Sequence, residues 1–250
     1  MFGKNPLRKV VKGDGTSLLV HTVFGTIQGE GPFAGQPAIF VRLAGCNLAC
    51  YFCDTEFENG AQQLSLDDLM YLVETERKKV KTNLVVLTGG EPMRQPIAEF
   101  IRTCFLRDLH VQIETAGTVW PEGLDPLMGA APWPNPVCTL VCSPKTGKVH
   151  PKVEMFCTHW KYIVADGECD DRDGLPMFST QREGNPMTVY RASHGTIWLQ
   201  PREDYYGDQL SGGTFPDPEA TRANMKLAAE IAMKFGYRLT LQTHKILGLP

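Results

Sequence analysis

Three cysteines stand on one short loop, Gly45-Cys46-Asn47-Leu48-Ala49-Cys50-Tyr51-Phe52-Cys53-Asp54-Thr55, in a C-x3-C-x2-C spacing. Thiolates so close together can converge on one metal centre. A structural zinc site wants a fourth ligand, and the nearest candidates are remote: His21 upstream, Cys104 and then His110 downstream. A [4Fe–4S] cluster held by three thiolates instead leaves one iron without a protein ligand, free to bind and activate a small molecule. The loop alone leaves zinc open as the alternative.

Other polar motifs stand just after expected strands, where α/β folds bind ligands. Thr88-Gly89-Gly90-Glu91-Pro92 follows the apolar run 84–87, and its glycines permit close backbone approach. Ser143-Pro144-Lys145 and Gln200-Pro201-Arg202-Glu203 follow two later runs. Ahead of the first expected strand lies Thr26-Ile27-Gln28-Gly29-Glu30-Gly31, which on its own is a polar turn.

The elements that must position these residues follow from periodicity. Apolar, β-branched runs at 38–43, 84–88, 110–114, 139–142, 160–165, 196–199 and 237–241 alternate with helical stretches, predicting one α/β domain over residues 1–250 with a mainly parallel sheet. One helix opens at Ser65, a hydroxyl cap, and buries Leu66, Leu69, Met70 and Val73. The last is capped by Asp217, starts with Pro218, stops at Gly236 and carries a stripe of Ala220, Ala223, Leu227, Ile231 and Phe235. The polar, Gly/Pro-punctuated segment 166–190 is expected to be an inserted loop, and the Pro-rich run 131–136 a stiff connector.

Composition sets the boundaries. With 42% hydrophobic and 21% charged residues the chain is an ordinary globular protein. Its 25 basic and 28 acidic residues give a net charge of -3, so no positive field gathers nucleic acid or anionic lipid, and neither is expected as a partner. Without a leader-like N-terminus or an apolar run of spanning length, a cytoplasmic location is expected. The eight cysteines are then thiols or ligands rather than disulfides, with Cys104, Cys138, Cys142, Cys157 and Cys169 as buried thiols.

The C-x3-C-x-aromatic-C pattern of Cys46, Cys50, Phe52 and Cys53 resembles the radical S-adenosylmethionine (SAM) superfamily. The resemblance implies a partial (β/α)6-type barrel and SAM chelated to the open iron, where an electron from the cluster yields a 5′-deoxyadenosyl radical. Cofactor contacts would come from Phe52, Cys53, Asp54, Gly90, Glu91, Ser143, Pro144, Lys145, Gln200, Pro201, Arg202 and Glu203.

The Gln28-Gly29-Glu30-Gly31 turn, Arg42, Cys53-Asp54-Thr55 and the closing Gln242-Thr243-His244-Lys245 are together similar to the 7-carboxy-7-deazaguanine synthase family, in order from about residue 20 to the last. That family contracts the ring of 6-carboxy-5,6,7,8-tetrahydropterin with loss of ammonia, on the way to queuosine and other 7-deazapurines. The resemblance implies a radical SAM lyase in which SAM is regenerated. It also implies a Mg²⁺ ion on Thr55, a flavodoxin- or ferredoxin-type reductant and a homodimer. Gln28, as donor and acceptor, and Glu30, as double acceptor, suit the pterin edge, with Ile27, Gly29, Thr88 and Pro250 completing the substrate site and Arg42 meeting the substrate carboxylate. Two rivals are a glycyl-radical-enzyme activase, which shares the cysteine loop and a Gly-Gly-Glu-Pro-like strand end, and a non-catalytic zinc or cluster module.

Overall fold

Residues 17–27 alternate in burial and extend the chain a full strand upstream of the first one expected from the sequence. The computed structural model describes residues 5–128, 138–181, 187–207 and 214–250. The Pro-rich run 131–136 and residues 182–186 of the polar segment lie outside them. In chain order the elements are β1 (Ser17–Ile27), β2 (Pro37–Leu43), β3 (Gln62–Ser65), α1 (Leu66–Val80), β4 (Leu84–Gly89) and α2 (Ala98–Phe105). They continue with β5 (His110–Thr115), α3 (Asp125–Met128), β6 (Cys138–Cys142), α4 (Pro151–Phe156), β7 (His159–Val164) and β8 (Thr196–Pro201). A hairpin of β9 (Asp204–Gly207) and β10 (Thr214–Asp217) leads to α5 (Pro218–Phe235), β11 (Arg238–Leu239) and α6 (Thr243–Ile246).

The main sheet has nine strands in the order β11-β8-β7-β6-β5-β4-β2-β1-β3. Every pairing from β2 to β11 is parallel, whereas β1 is antiparallel to both of its neighbours. Successive crossovers step in one direction, the habit of a barrel. Yet the end strands β3 and β11 do not pair among the described residues, so the sheet is open and not closed into a barrel. No helix is described between β7 and β8; the polar segment occupies that crossover.

The two faces differ in chemistry. One is packed by α1 and α2 through Leu69, Met70, Val73, Phe100, Ile101 and Cys104 against Val41, Val85, Val111 and Ile113 of the strands. The other carries a small apolar patch, Ala38, Phe40, Leu84 and Val86, and then turns polar toward the strands' carboxyl ends. Ser65 caps α1 by accepting from the Asp68 amide, and Asp217 caps α5 by accepting from Glu219 and Ala220, both as the sequence predicts. The α5 stripe is rotated from the expected one: Asn224, Ala228, Ile231 and Ala232 are buried and Ala223 is exposed. Asn224 goes inside because its amide bonds the Asp166 N–H, the Arg202 carbonyl and the Asp204 carboxylate, tying the ends of β7 and β8 to the helix.

Among the described residues no helix is long and apolar enough to cross a membrane. Cys104, Cys138, Cys142 and Cys157 are free buried thiols, and Cys169 is free and half-buried.

Candidate active site

Parallel register aligns the polar floor. Arg42 of β2 pairs with Thr88 of β4, and the Thr88 hydroxyl donates to the Glu114 carboxylate on β5 at 3.0 Å. Glu114 also accepts from the Gln28 amide at 3.0 Å and from the Gln112 amide at 3.1 Å. The Gln28 carbonyl oxygen in turn accepts from the Glu30 backbone N–H at 3.1 Å. Glu30 is ion-paired with Lys161 of β7, and both side chains are buried. Burial alone would push the Glu30 pKa up; Lys161, with a hydrogen bond from Gln242, more than reverses this and keeps the carboxyl ionised. Glu114, Gln112 and Lys161 were not singled out from the sequence. Their signal was present, because each is a polar residue alternating with core residues in an otherwise apolar strand.

Arg42 differs from these bonded groups. Its guanidinium makes no ion pair among the described residues and lies 5.9 Å from the Phe24 ring centroid. Burial lowers its pKa, while Asp54 and Glu114 oppose that at longer range. A half-buried guanidinium with no carboxylate partner among the described residues is free to meet an anion.

The cysteine loop lies at the end of β2. All three thiols are free and half-buried. Burial, and then the nearby Glu91, push the Cys46 pKa up to about 12, and burial also raises that of Cys53. Such thiols need a bound cation to become thiolates at neutral pH. Each has a donor facing its sulfur: the Leu48 N–H on Cys46, the Thr180 hydroxyl on Cys50 and the Asn5 amide on Cys53. Among the described residues no three His, Cys, Asp or Glu side chains are placed to share one metal ion. A [4Fe–4S] cluster asks for something else, one thiolate at each of three separate irons, and this donor set fits it.

The remaining motifs divide into those that line the cavity and those that brace it. Gly90 sits against the cysteine loop so tightly that a Cβ would lie 2.2 Å from the Gly45 oxygen. Glu91 does not face the cavity: its fully buried carboxylate accepts from the Thr115 hydroxyl (2.7 Å) and the Ala116 (2.8 Å) and Met93 (3.0 Å) amides. Ser143, Lys145, Gln200, Arg202, Glu203, Phe52, Asp54 and Thr55 line the cavity with Gln28, Glu30, Arg42, Thr88 and the three cysteines. Ile27, Gly29, Pro144 and Pro201 do not. The Gln200 Oε1 is buried without a hydrogen-bond partner among the described residues. Thr55 donates to Asp54 at 3.0 Å, and Lys245 bridges Asp54 (2.7 Å) and Glu203 (2.5 Å).

The C-terminal segment closes one side. His244 and Gln242 line the cavity, whereas Pro250 is exposed and off the lining. Gly29 explains its own place in the sequence: a Cβ there would stand 2.6 Å from His244 Nδ1 and 2.8 Å from the Thr243 nitrogen. The bare glycine thus lets α6 dock closely.

Unfilled space in the cavity, with the open solvent at its mouth included, is about 1370 Å³. An open parallel α/β sheet with a three-cysteine loop and a glycine-rich strand end on one cavity defines a radical SAM protein, and the model of the Radical SAM superfamily matches residues 41–148. The chain is 44% identical over 250 residues to the 7-carboxy-7-deazaguanine synthase of Rhodospirillum rubrum, covering all of both chains. It is 39% identical to the enzyme of that name from Rickettsia prowazekii, over all of this chain and 96% of the relative. The chain belongs to the 7-carboxy-7-deazaguanine synthase family. Its fold is similar to the crystal structure of QueE from Escherichia coli, with a TM-score of 0.58 at 22% identity over 90% of this chain and 93% of that one. The full-length relatives favour this family over the activase and the zinc or cluster module.

Proposed function

We propose that the protein is a radical SAM lyase that converts 6-carboxy-5,6,7,8-tetrahydropterin into 7-carboxy-7-deazaguanine, with ring contraction and loss of ammonia, in queuosine and 7-deazapurine biosynthesis. The observation that carries this reading is the Arg42 guanidinium, with no ion pair among the described residues, on one cavity with three thiols and the hydrogen-bonded pair Gln28 and Glu30. A carboxylated pterin supplies the anion for Arg42, and its amino and ring N–H groups suit the ionised Glu30. Glu114 holds Gln28 and Thr88, so the edge-reading groups are fixed before the ligand arrives.

Cys46, Cys50 and Cys53 would hold the [4Fe–4S] cluster, and cluster and SAM together supply the radical chemistry. Gly90, Ser143, Lys145, Gln200, Arg202 and Glu203 form the wall beside the thiols and would seat SAM, with Gln200 Oε1 taking one of its N–H or O–H donors. Glu91 braces that wall through Thr115 and Ala116. Thr55 and Asp54 offer the hard oxygens that Mg²⁺ prefers, so the ion would complete its shell with water and the substrate carboxylate. A cytoplasmic homodimer, reduced by a flavodoxin- or ferredoxin-type donor, completes the reading.

The test is anaerobic turnover of reconstituted protein with SAM, dithionite, Mg²⁺ and 6-carboxytetrahydropterin, followed by mass spectrometry. The expected result is 7-carboxy-7-deazaguanine in excess of SAM consumed. SAM cleavage that leaves the pterin intact overturns the substrate assignment.

A further inference from the structure

The segment 166–190 looks in sequence like a solvated loop, but its described residues are fastened to the cysteine loop. The Thr180 hydroxyl donates to the Cys50 sulfur at 2.9 Å and the Gln181 amide donates to the same sulfur at 3.4 Å. Backbone bonds hold both donors in place. Tyr51 N–H donates to the Thr180 carbonyl at 3.0 Å, Ala49 N–H to the Gln181 side-chain oxygen at 3.0 Å, and Thr180 N–H to the Lys145 carbonyl at 3.0 Å. Further along the segment, Glu168 accepts from the Tyr51 hydroxyl at 3.1 Å and from Arg202 at 2.7 Å. Thr180 is itself buried.

The three sulfurs are therefore served unequally. Cys46 receives the N–H of Leu48 in its own loop at 3.4 Å, and Cys53 a long bond of 3.7 Å from the Asn5 amide. Cys50 receives two side-chain donors from 130 residues away, one of them short. A donor aimed at a ligating sulfur stabilises negative charge there, and a cluster that has gained an electron carries more of it. Hydrogen bonds to the sulfurs are among the features that set cluster potentials.

We propose that Thr180 and Gln181 act as a two-pronged clamp on the Cys50 sulfur that raises the reduction potential of the cluster bound there. They are positioning and tuning residues and are not part of the cavity lining. The inference rests on the cluster assigned to the three cysteines under the proposed function.

The experiment is a redox titration of the anaerobically reconstituted full chain, followed by electron paramagnetic resonance of the reduced cluster, with iron and sulfide counted in parallel. T180V removes the hydroxyl at nearly constant volume and keeps both backbone bonds; Q181M removes the second donor together with the oxygen that accepts from the Ala49 N–H, and T180S restores the first. The midpoint is expected to move negative in T180V and in Q181M, further in the double variant, and to return toward the wild-type value in T180S. Unchanged midpoints in T180V and Q181M at full iron and sulfide content overturn the clamp. If T180V loses its cluster, the Q181M midpoint decides alone: a negative shift supports the clamp and no shift overturns it. A wild-type preparation that forms no cluster brings down the cluster assignment itself, and the clamp with it.

Discussion

Replacing Lys161 by methionine tests how the cavity floor keeps Glu30 charged. The two side chains are buried and ion-paired, and Lys161 is the main influence holding the Glu30 pKa down against burial. Gln242 and His244 also face Glu30, but burial lowers the pKa of His244, so that ring does not replace the lost cation. Removing one partner of a buried pair costs about 3–5 kcal/mol, which for a chain of this size lowers Tm by roughly 6–20 °C. The sign with pH separates this from a packing defect. In the wild type the lowered folded pKa of Glu30 contributes stability that is present above its unfolded pKa and lost as pH falls through the folded value. In K161M burial outweighs the remaining Gln242 hydrogen bond and His244 and raises the folded pKa. Glu30 then folds carrying a proton, and that stabilisation is present at low pH and lost as pH rises through the folded value. The Tm gap between variant and wild type, measured by calorimetry on reconstituted protein, should narrow from pH 7 to pH 5. Adding E30Q to K161M should recover most of the loss at pH 7. A Tm drop under about 2 °C, or an equal gap at both pH values, refutes the reasoning.

Arg42→Met should lower kcat/KM for the carboxylated pterin by about 10- to 150-fold, the worth of a hydrogen bond to a charged group, and Arg42→Lys should restore little of it; steady-state kinetics checks both. Because no ion pair among the described residues is lost, the same variant should melt no lower than wild type in a thermal scan. Gly29→Ala should push α6 away, because the new Cβ meets His244 and Thr243 under 3 Å, at a cost of about 1–3 kcal/mol. Faster proteolysis of the last residues should report the displacement. Asp217→Ala removes the cap of α5 and should cost about 1 kcal/mol in denaturant melts with kcat unchanged.

What could be seen in the sequence was what is local. The cysteine spacing, the Gly-Gly-Glu-Pro strand end and the two helix caps each lie within a few residues, and the structure brings them where α/β rules place them. Side-chain partners across strands were hidden, because Glu114 and Lys161 acquire meaning only through a register that joins β1, β2, β4, β5 and β7. Glu91 shows the opposite case. Its motif marks it as a cofactor contact, yet its oxygens are used by Thr115, Ala116 and Met93. The strand expected at 237–241 shrinks to Arg238–Leu239, since the Thr240 hydroxyl turns to accept from the Gly31 N–H at 2.9 Å. β1 is absent from the expected strands because Gly25 and the polar pair His21 and Thr22 interrupt its apolar alternation, and antiparallel pairing with β2 compensates.

In the proposed function one cavity seats SAM beside the thiols and a carboxylated pterin on Arg42. That arrangement is tested most directly by a crystal structure of the anaerobically reconstituted protein with SAM and 6-carboxypterin. The predicted result is a four-iron cluster on Cys46, Cys50 and Cys53, with the pterin carboxylate within hydrogen-bond reach of Arg42 and its ring N–H groups on Glu30. A pterin bound away from Arg42, or a different metal on the three cysteines, would contradict it.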